Sequence, residues 1–376
     1  MSTETHDTPT GPQPIPDHPT LALEIRPHWK DDCHRLLLAL AGRLPDAALT
    51  RLRTLLASDD RRAFSADLGH TVVAEALALP EPDEDLVAEL LEGEGLDSSL
   101  LDTLLPFAAE TALRPAFVFT PQPDGTPPHG DGLHDAFDQA AVAAVSDLPG
   151  IHGLWRSWRW STDLDDAPPR RIYLVEADRT HDLPALTARL QQLLASQGEP
   201  HPQVEAHASG EALPRYQQLA RSHGALLWMP TKRRPLRLAP ALGEPDTSEG
   251  PHPAPDHPRM ADPGEVALVA AYLWSGALLL ASPESADDIL QPSRGAVVPV
   301  DIRTDGAWVW TDAMTYYLEE YGLQPHAGLL AHIRAAGYAA PEVDAATRHR
   351  AIELLTGTNG GDSAFGPGLE TDAGSH

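Results

Sequence analysis

Asp305-Gly306, set between Arg303-Thr304 and Ala307-Trp308-Val309-Trp310, constrains this chain more than any other pair of residues. Asp-Gly between two alternating runs is a strong hairpin signal, because a type I′ turn needs positive φ at both central residues. A two-residue turn puts Thr304 opposite Ala307, Arg303 opposite Trp308, Ile302 opposite Val309 and Asp301 opposite Trp310. Cross-strand partners share a face. One face then carries Val300, Ile302 and Val309; the other carries Asp301, Arg303, Trp308 and Trp310. Trp and Arg are favoured interface anchors, so this second face is a candidate partner-binding surface. The competing reading is a core face, covered by the following helix with Met314, Tyr316, Tyr317 and Leu318. The pattern favours Trp310 beneath that helix, with Trp308 and Arg303 nearer the rim.

Upstream, the period is helical. Leu36, Leu37 and Leu40 share one side of a first helix. Pro45 opens a second with Leu49, Leu52, Leu55 and Leu56; Phe64, Leu68 and Val72 mark a third; Pro82 and Asp83 open a fourth. From residue 113 the order becomes strand and helix in alternation. Strands are expected at 116–120, 154–160, 171–177, 204–207, 225–229 and 236–238, with helices at 133–145, 183–195 and 214–222. Six prolines between Glu244 and Pro263 read as an extended linker. A helix at 265–274 and a strand at 277–281 follow. Their uncharged run, Val266 to Ser282, is shorter than a bilayer span and reads as a buried helix and a buried strand. Strands at 297–304 and 307–311 and helices at 312–320, 329–336 and 345–355 close the pattern.

These elements predict an α+β multi-domain chain. Residues 1–25 are a disordered lead, 26–112 a helical domain, 113–243 a small α/β domain, 244–263 the linker, 264–356 an α+β domain, and 357–376 a disordered tail. The lead has no basic stretch and no apolar stretch of the kind that signal peptides carry, so the expected compartment is cytoplasmic.

The formal charge is −28, from 55 acids against 27 bases. A broad nucleic-acid surface is not expected at that balance, since phosphate binding needs net cations. No base occurs between Arg62 and Arg114, and that interval holds 12 acids. Glu81, Asp83, Glu84 and Asp85 are its densest block and a candidate docking face for a basic protein, a toxin or a regulator. The plainer reading is a solvated face that keeps the chain soluble.

Catalytic signatures are missing. The lone Cys33 rules out an intramolecular disulfide, and as a helical neighbour of His34 it is badly placed for a thiolate–imidazole pair. No phosphate-loop, nucleophile-elbow or zinc spacing occurs, so no cofactor or metal is expected. Leu154-Trp155-Arg156-Ser157-Trp158-Arg159-Trp160 interleaves Arg with aromatics, yet reads better as an edge strand with its Trp residues packed under a helix. Glu176 and Asp178 stand at the end of an expected strand, where α/β proteins place ligand-binding groups.

Val298 to Tyr338, with RTDGAWVW, TYYLEEYGL and LLAHIRAAGY, resembles a module of uncharacterised actinobacterial proteins. RIYLVEAD and LPRYQQLARSHGALLW resemble the same kind of protein, and together these stretches cover about half the chain. The resemblance implies relatives beside polymorphic toxin–immunity loci and carries over no catalytic residue. The resulting expectation is a non-catalytic protein-binding chain, immunity-type or regulatory. The alternative is an enzyme or small-ligand-binding protein using the α/β part. A polar pocket at the strand ends after Val175 and Met229 would favour that alternative.

Overall fold

A computed structural model describes residues 28–104, 117–123, 135–162, 168–230, 236–241 and 256–357. The expected lead, most of the linker and the tail after Gly357 lie outside these residues. The fold is mixed α and β.

Among the described residues, four helices come first: α1 (Trp29–Ala39), α2 (Asp46–Ala57), α3 (Arg61–Ala74) and α4 (Glu81–Gly93), then a short 3-10 turn at Ser99–Thr103. Their starts are encoded locally. Pro45 and Pro80 precede α2 and α4, and the Asp60 carboxylate accepts the Ala63 N–H at the head of α3. Such caps satisfy amides that the helix itself leaves unpaired. The leucine stripes meet inside with Phe64 and Val72. Cys33 is part of this core, and burial pushes its thiol up to about 12. It acts as a small hydrophobe.

Among the described residues the first sheet has five strands: β1 (Phe117–Thr120), β2 (Ile151–Ser161), β3 (Arg170–Ala177), β4 (Gln203–Ala208) and β5 (Ala225–Trp228). Three helices interleave with them: α5 (Ala136–Ser146), α6 (Leu183–Ser196) and α7 (Arg215–Ser222). β2 runs antiparallel to β1, β3 and β5, so it is a central strand, not the expected edge. β3 and β4 are parallel, joined through α6. Alternation sorts the two faces. Leu154, Tyr173, Val175, Val204 and Ala206 pack with residues of α5 and α6; Trp155, Ile172 and Leu174 pack with Ala220 of α7 on the other side. The Arg–Trp run is structural. Arg156 pairs with buried Asp138, and the Arg171 guanidinium lies 4.6 Å from the Trp158 ring.

The helical part is joined to this sheet by a polar seam. Arg53 of α2 donates to Glu205 of β4 at 2.6 Å, both side chains being almost fully buried. Gln217 of α7 donates to the same carboxylate at 3.0 Å and to the Leu38 carbonyl at 2.8 Å. Arg159 reaches Asp46 at 2.7 Å. His34 Nε2 donates to the Ala206 carbonyl at 2.8 Å. Burial is the main cause that lowers the His34 pKa, and it takes His207 on β4 down to about 3, with Arg221 adding to the shift. Both imidazoles are therefore neutral.

The second sheet runs β6 (Arg237–Leu238), β11 (Trp308–Thr311), β10 (Ile302–Thr304), β7 (Ala277–Leu280). A separate pair, β8 (Ser285–Asp287) and β9 (Ala296–Pro299), lies beside it. Its helices are α8 (Pro263–Ser275), α9 (Asp312–Tyr321), α10 (Ala327–Ala335) and α11 (Ala345–Gly357). β6 precedes the linker yet pairs in parallel with β11, Arg237 facing Trp308 and Leu238 facing Val309. Its leucines, Leu236 and Leu238, fill the core around Val309 and Leu279. The strand expected in the α/β part thus belongs to the second sheet. The end of the linker is also tied down, since Met260 N–H donates to Gly322 O at 2.9 Å and Gln324 N–H to Pro258 O at 2.9 Å.

The hairpin forms, but two residues out of the expected register: Thr304 faces Val309, Arg303 faces Trp310 and Ile302 faces Thr311. Only Gly306 takes positive φ, at 87°, so a type I′ turn is not made. The Asp305 side chain is the cause. Its Oδ1 accepts the N–H of Ala307 at 2.9 Å and of Trp308 at 2.7 Å, while Oδ2 accepts the Tyr272 hydroxyl at 2.6 Å. Side-chain acceptance of this kind competes with a ladder turn. A shift of two preserves sidedness, so Arg303, Trp308 and Trp310 still share a face.

That face is core. Trp308 and Trp310 are 2% and 0% exposed. Trp310 packs with Tyr272, Leu273, Met314 and Leu318, and its Nε1 donates to Leu273 O at 3.3 Å. Gly276 lets the ring approach, since a Cβ there would lie 2.4 Å from it. Trp308, expected nearer the rim, stacks 5.4 Å from His326. Arg303 pairs with Asp312 at 2.7 Å and lies over Trp274, not Trp308. Asp301 is half-buried and accepts the Ser282 N–H at 2.8 Å. The expected partner surface of Asp301, Arg303, Trp308 and Trp310 is corrected accordingly.

α11 serves both sheets. Ala346 sits with Trp155, Ile172 and Leu174 of the first, while Ala351 and Leu355 sit with Leu238, Leu279 and Val309 of the second.

Candidate functional site: a charged cleft at the carboxyl ends of β3 and β4

A parallel strand pair sends its two following loops to the same end of the sheet. Here those loops are Asp178–Asp182 after β3 and Ser209–Pro214 after β4. The first turn of α1 crosses the same end. Between them lies a cavity of about 590 Å³. A second, of about 280 Å³, adjoins it and shares Arg35 and Glu211.

The walls carry both signs of charge. α1 contributes Asp31, Asp32, His34 and Arg35; the β3 loop contributes Arg179 and His181; the β4 loop contributes Glu211. Arg35 pairs with Asp32, and Arg179 lies 3.4 Å from Glu211. Both arginine side chains remain about two-thirds exposed, at 64% and 65%. Exposed pairs of this sort are worth little and exchange readily for a ligand's charges. His181 donates from Nε2 to Pro149 O at 2.7 Å, which fixes its ring at the rim.

Glu176 and Asp178 divide. Glu176 is buried; it accepts the Ser209 hydroxyl at 2.9 Å and stands 4.0 Å from Arg221, on the sheet face under α7. Asp178 is exposed at the cleft's edge, 2.8 Å from His152 Nε2. Its close approach needs Gly150, where φ is 76° and a Cβ would lie 2.5 Å from the carboxylate. The expected strand-end position is therefore near the cleft, but its charged walls come from neighbouring residues. β5 contributes no wall residue to it.

The acidic block is only partly a surface. Glu81 and Asp85 are exposed on α4, while Asp83 and Glu84 are half-buried. Burial raises the Asp83 carboxyl above its usual range, partly countered by Arg43.

Among the described residues, no group of three or more His, Cys, Asp or Glu side chains is arranged to hold a metal ion. Nor is any helix among them long and apolar enough to cross a membrane. No protein-family model, no curated protein and no solved structure matches this chain.

Proposed function

We propose that the chain binds a small polar ligand, carrying groups of both charge signs, in the cleft outside β3 and β4. The observation that supports this reading is the cleft's position and size. Open α/β sheets bind ligands beyond the carboxyl ends of their strands, and ligand pockets run to about 300–1,000 Å³. Arg35 and Arg179 would take an anionic group; Asp31 and Glu211 would take a cationic one.

The test is a thermal-shift and calorimetry panel of free amino acids, with their decarboxylated and deaminated analogues as controls. A zwitterionic probe at a hundredfold excess over its Kd is expected to stabilise the chain by about 2.7 kcal/mol. Arg179→Glu is expected to abolish the shift with little change in the unliganded midpoint, since Arg179 is exposed. If no zwitterion in the panel binds, or if Arg179→Glu binds as the parent does, the reading fails.

A second reading, an immunity-type or regulatory chain that docks a basic protein, is supported by the exposed Glu81 and Asp85 on α4. Charges at an interface rim act mainly on association rate and are screened by salt. Glu81→Gln with Asp85→Asn should slow capture of such a partner roughly 3–10-fold at low ionic strength. The difference should vanish at high salt. A rate indifferent to both changes returns the block to plain solvation.

A further inference from the structure

We infer that the ligand of the cleft carries an uncharged hydrogen-bond donor, a hydroxyl or an amide N–H, and that His207 Nε2 accepts it in the second cavity. This rests on the reading of the cleft given above and adds a third group to the ligand's two charged ones. His207 stands in the wall of that cavity with Arg35, Leu38 and Leu213. The residue is 1% exposed, and among the described residues its Nε2 has no hydrogen-bond partner. Native interiors pair nearly all such atoms, so an exception in a cavity wall points to a group that arrives from outside.

The tautomer fixes what that group must be. His207 Nδ1 lies 3.4 Å from the Ala208 carbonyl oxygen, and a carbonyl only accepts. The neutral ring's one N–H is therefore at Nδ1, and Nε2 presents a lone pair. Burial, with Arg221 nearby, keeps a second proton off the ring. Nε2 can thus accept and cannot donate. Leu38 and Leu213 beside it are buried and apolar, so a ligand atom that cannot donate would leave the nitrogen unpaired in a dry wall.

His34 repeats the pattern in the wall of the larger cavity. Its Nε2 donates to Ala206 O at 2.8 Å, and its buried Nδ1 has no partner among the described residues. Arg35 belongs to both walls, so one ligand can meet its charge and His207 together. Glu211 is the other acceptor in the second wall, but it is charged and lies 3.4 Å from Arg179.

Calorimetry of the full chain with free amino acids paired by shape tests this: threonine against valine, and asparagine against leucine. The donor-bearing member of at least one pair is expected to bind about 10–100-fold more tightly. His207→Phe keeps a planar ring and removes the acceptor. It should cut that advantage to less than about threefold by weakening the donor-bearing ligand alone. The unliganded thermal midpoint should not fall, since the change removes a nitrogen that has no partner to lose. Equal binding within both pairs overturns this inference and leaves the reading of the cleft standing. An advantage that survives His207→Phe assigns the donor to Glu211 and overturns it too. If none of the four binds, this inference falls; the reading of the cleft falls with it only if no zwitterion of the wider panel binds. Should the variant misfold, imidazole nitrogen-15 spectra of the parent decide. The His207 Nε2 resonance should move with the donor-bearing ligand and stay with its apolar twin, and a resonance indifferent to the donor refutes the contact.

Discussion

Glu205→Ala should cost the chain about 3–5 kcal/mol of stability, read as a lowered urea midpoint with the slope unchanged. The reason is not that the Arg53–Glu205 pair is worth that much. Removing the carboxylate leaves Arg53 buried and charged, and takes from Gln217 one of its two acceptors. Desolvating two ions offsets most of their attraction, so the pair is costly to break and cheap to replace whole. Arg53→Met with Glu205→Leu should accordingly recover most of the loss. If the double variant were as unstable as the single one, shape at the seam, not charge, would be what Glu205 supplies.

Trp310→Ala should be as severe, about 3–5 kcal/mol, because it empties a closed site between Tyr272, Leu273, Met314 and Leu318. Arg303 shares the strand face but is partly exposed, so Arg303→Ala mainly strands Asp312, which is 2% exposed in that pair. That change should cost less, roughly 1–3 kcal/mol. The order of the two thermal midpoints is the check. A Trp310→Ala chain that melts with the parent would make this ring a surface group after all.

Most elements were legible because their signals are local. Pro45 stands immediately before α2 and Pro82 falls in the first turn of α4, at the helix starts they announce, and β3 and α6 fall within a residue or so of their expected limits. The hairpin's sidedness was legible for the same reason. Its register was not, because an Asp side chain that reaches two backbone amides and a distant tyrosine overrides the turn preference of Asp-Gly. The sheet to which Leu236 and Leu238 belong was not legible either, since two leucines do not specify a neighbouring strand. The cleft was half legible: Glu176 and Asp178 marked the right strand end. Arg179, His181 and Glu211 lie within loops whose bounding elements were expected, and a search of those loops would have found them. Asp31, Asp32 and Arg35 could not be found that way, because only tertiary packing brings α1 to the sheet. Lack of charge at α8 was read as burial, and this holds for one side only: Val269, Ala270, Tyr272 and Leu273 are buried, while Leu268 and Trp274 are exposed.

The placement of α11 bears on how the chain reaches its fold. Trp155, Ile172 and Leu174 come early in the sequence, and Ala346 covers them from far downstream. During synthesis α7 can cover part of this patch, but the part beneath Ala346 stays open while the second sheet is being made. It closes only when a helix that also completes that second sheet arrives. The two sheets are therefore finished in one event, and a stalled or truncated chain would present both unfinished surfaces to chaperones and proteases at once.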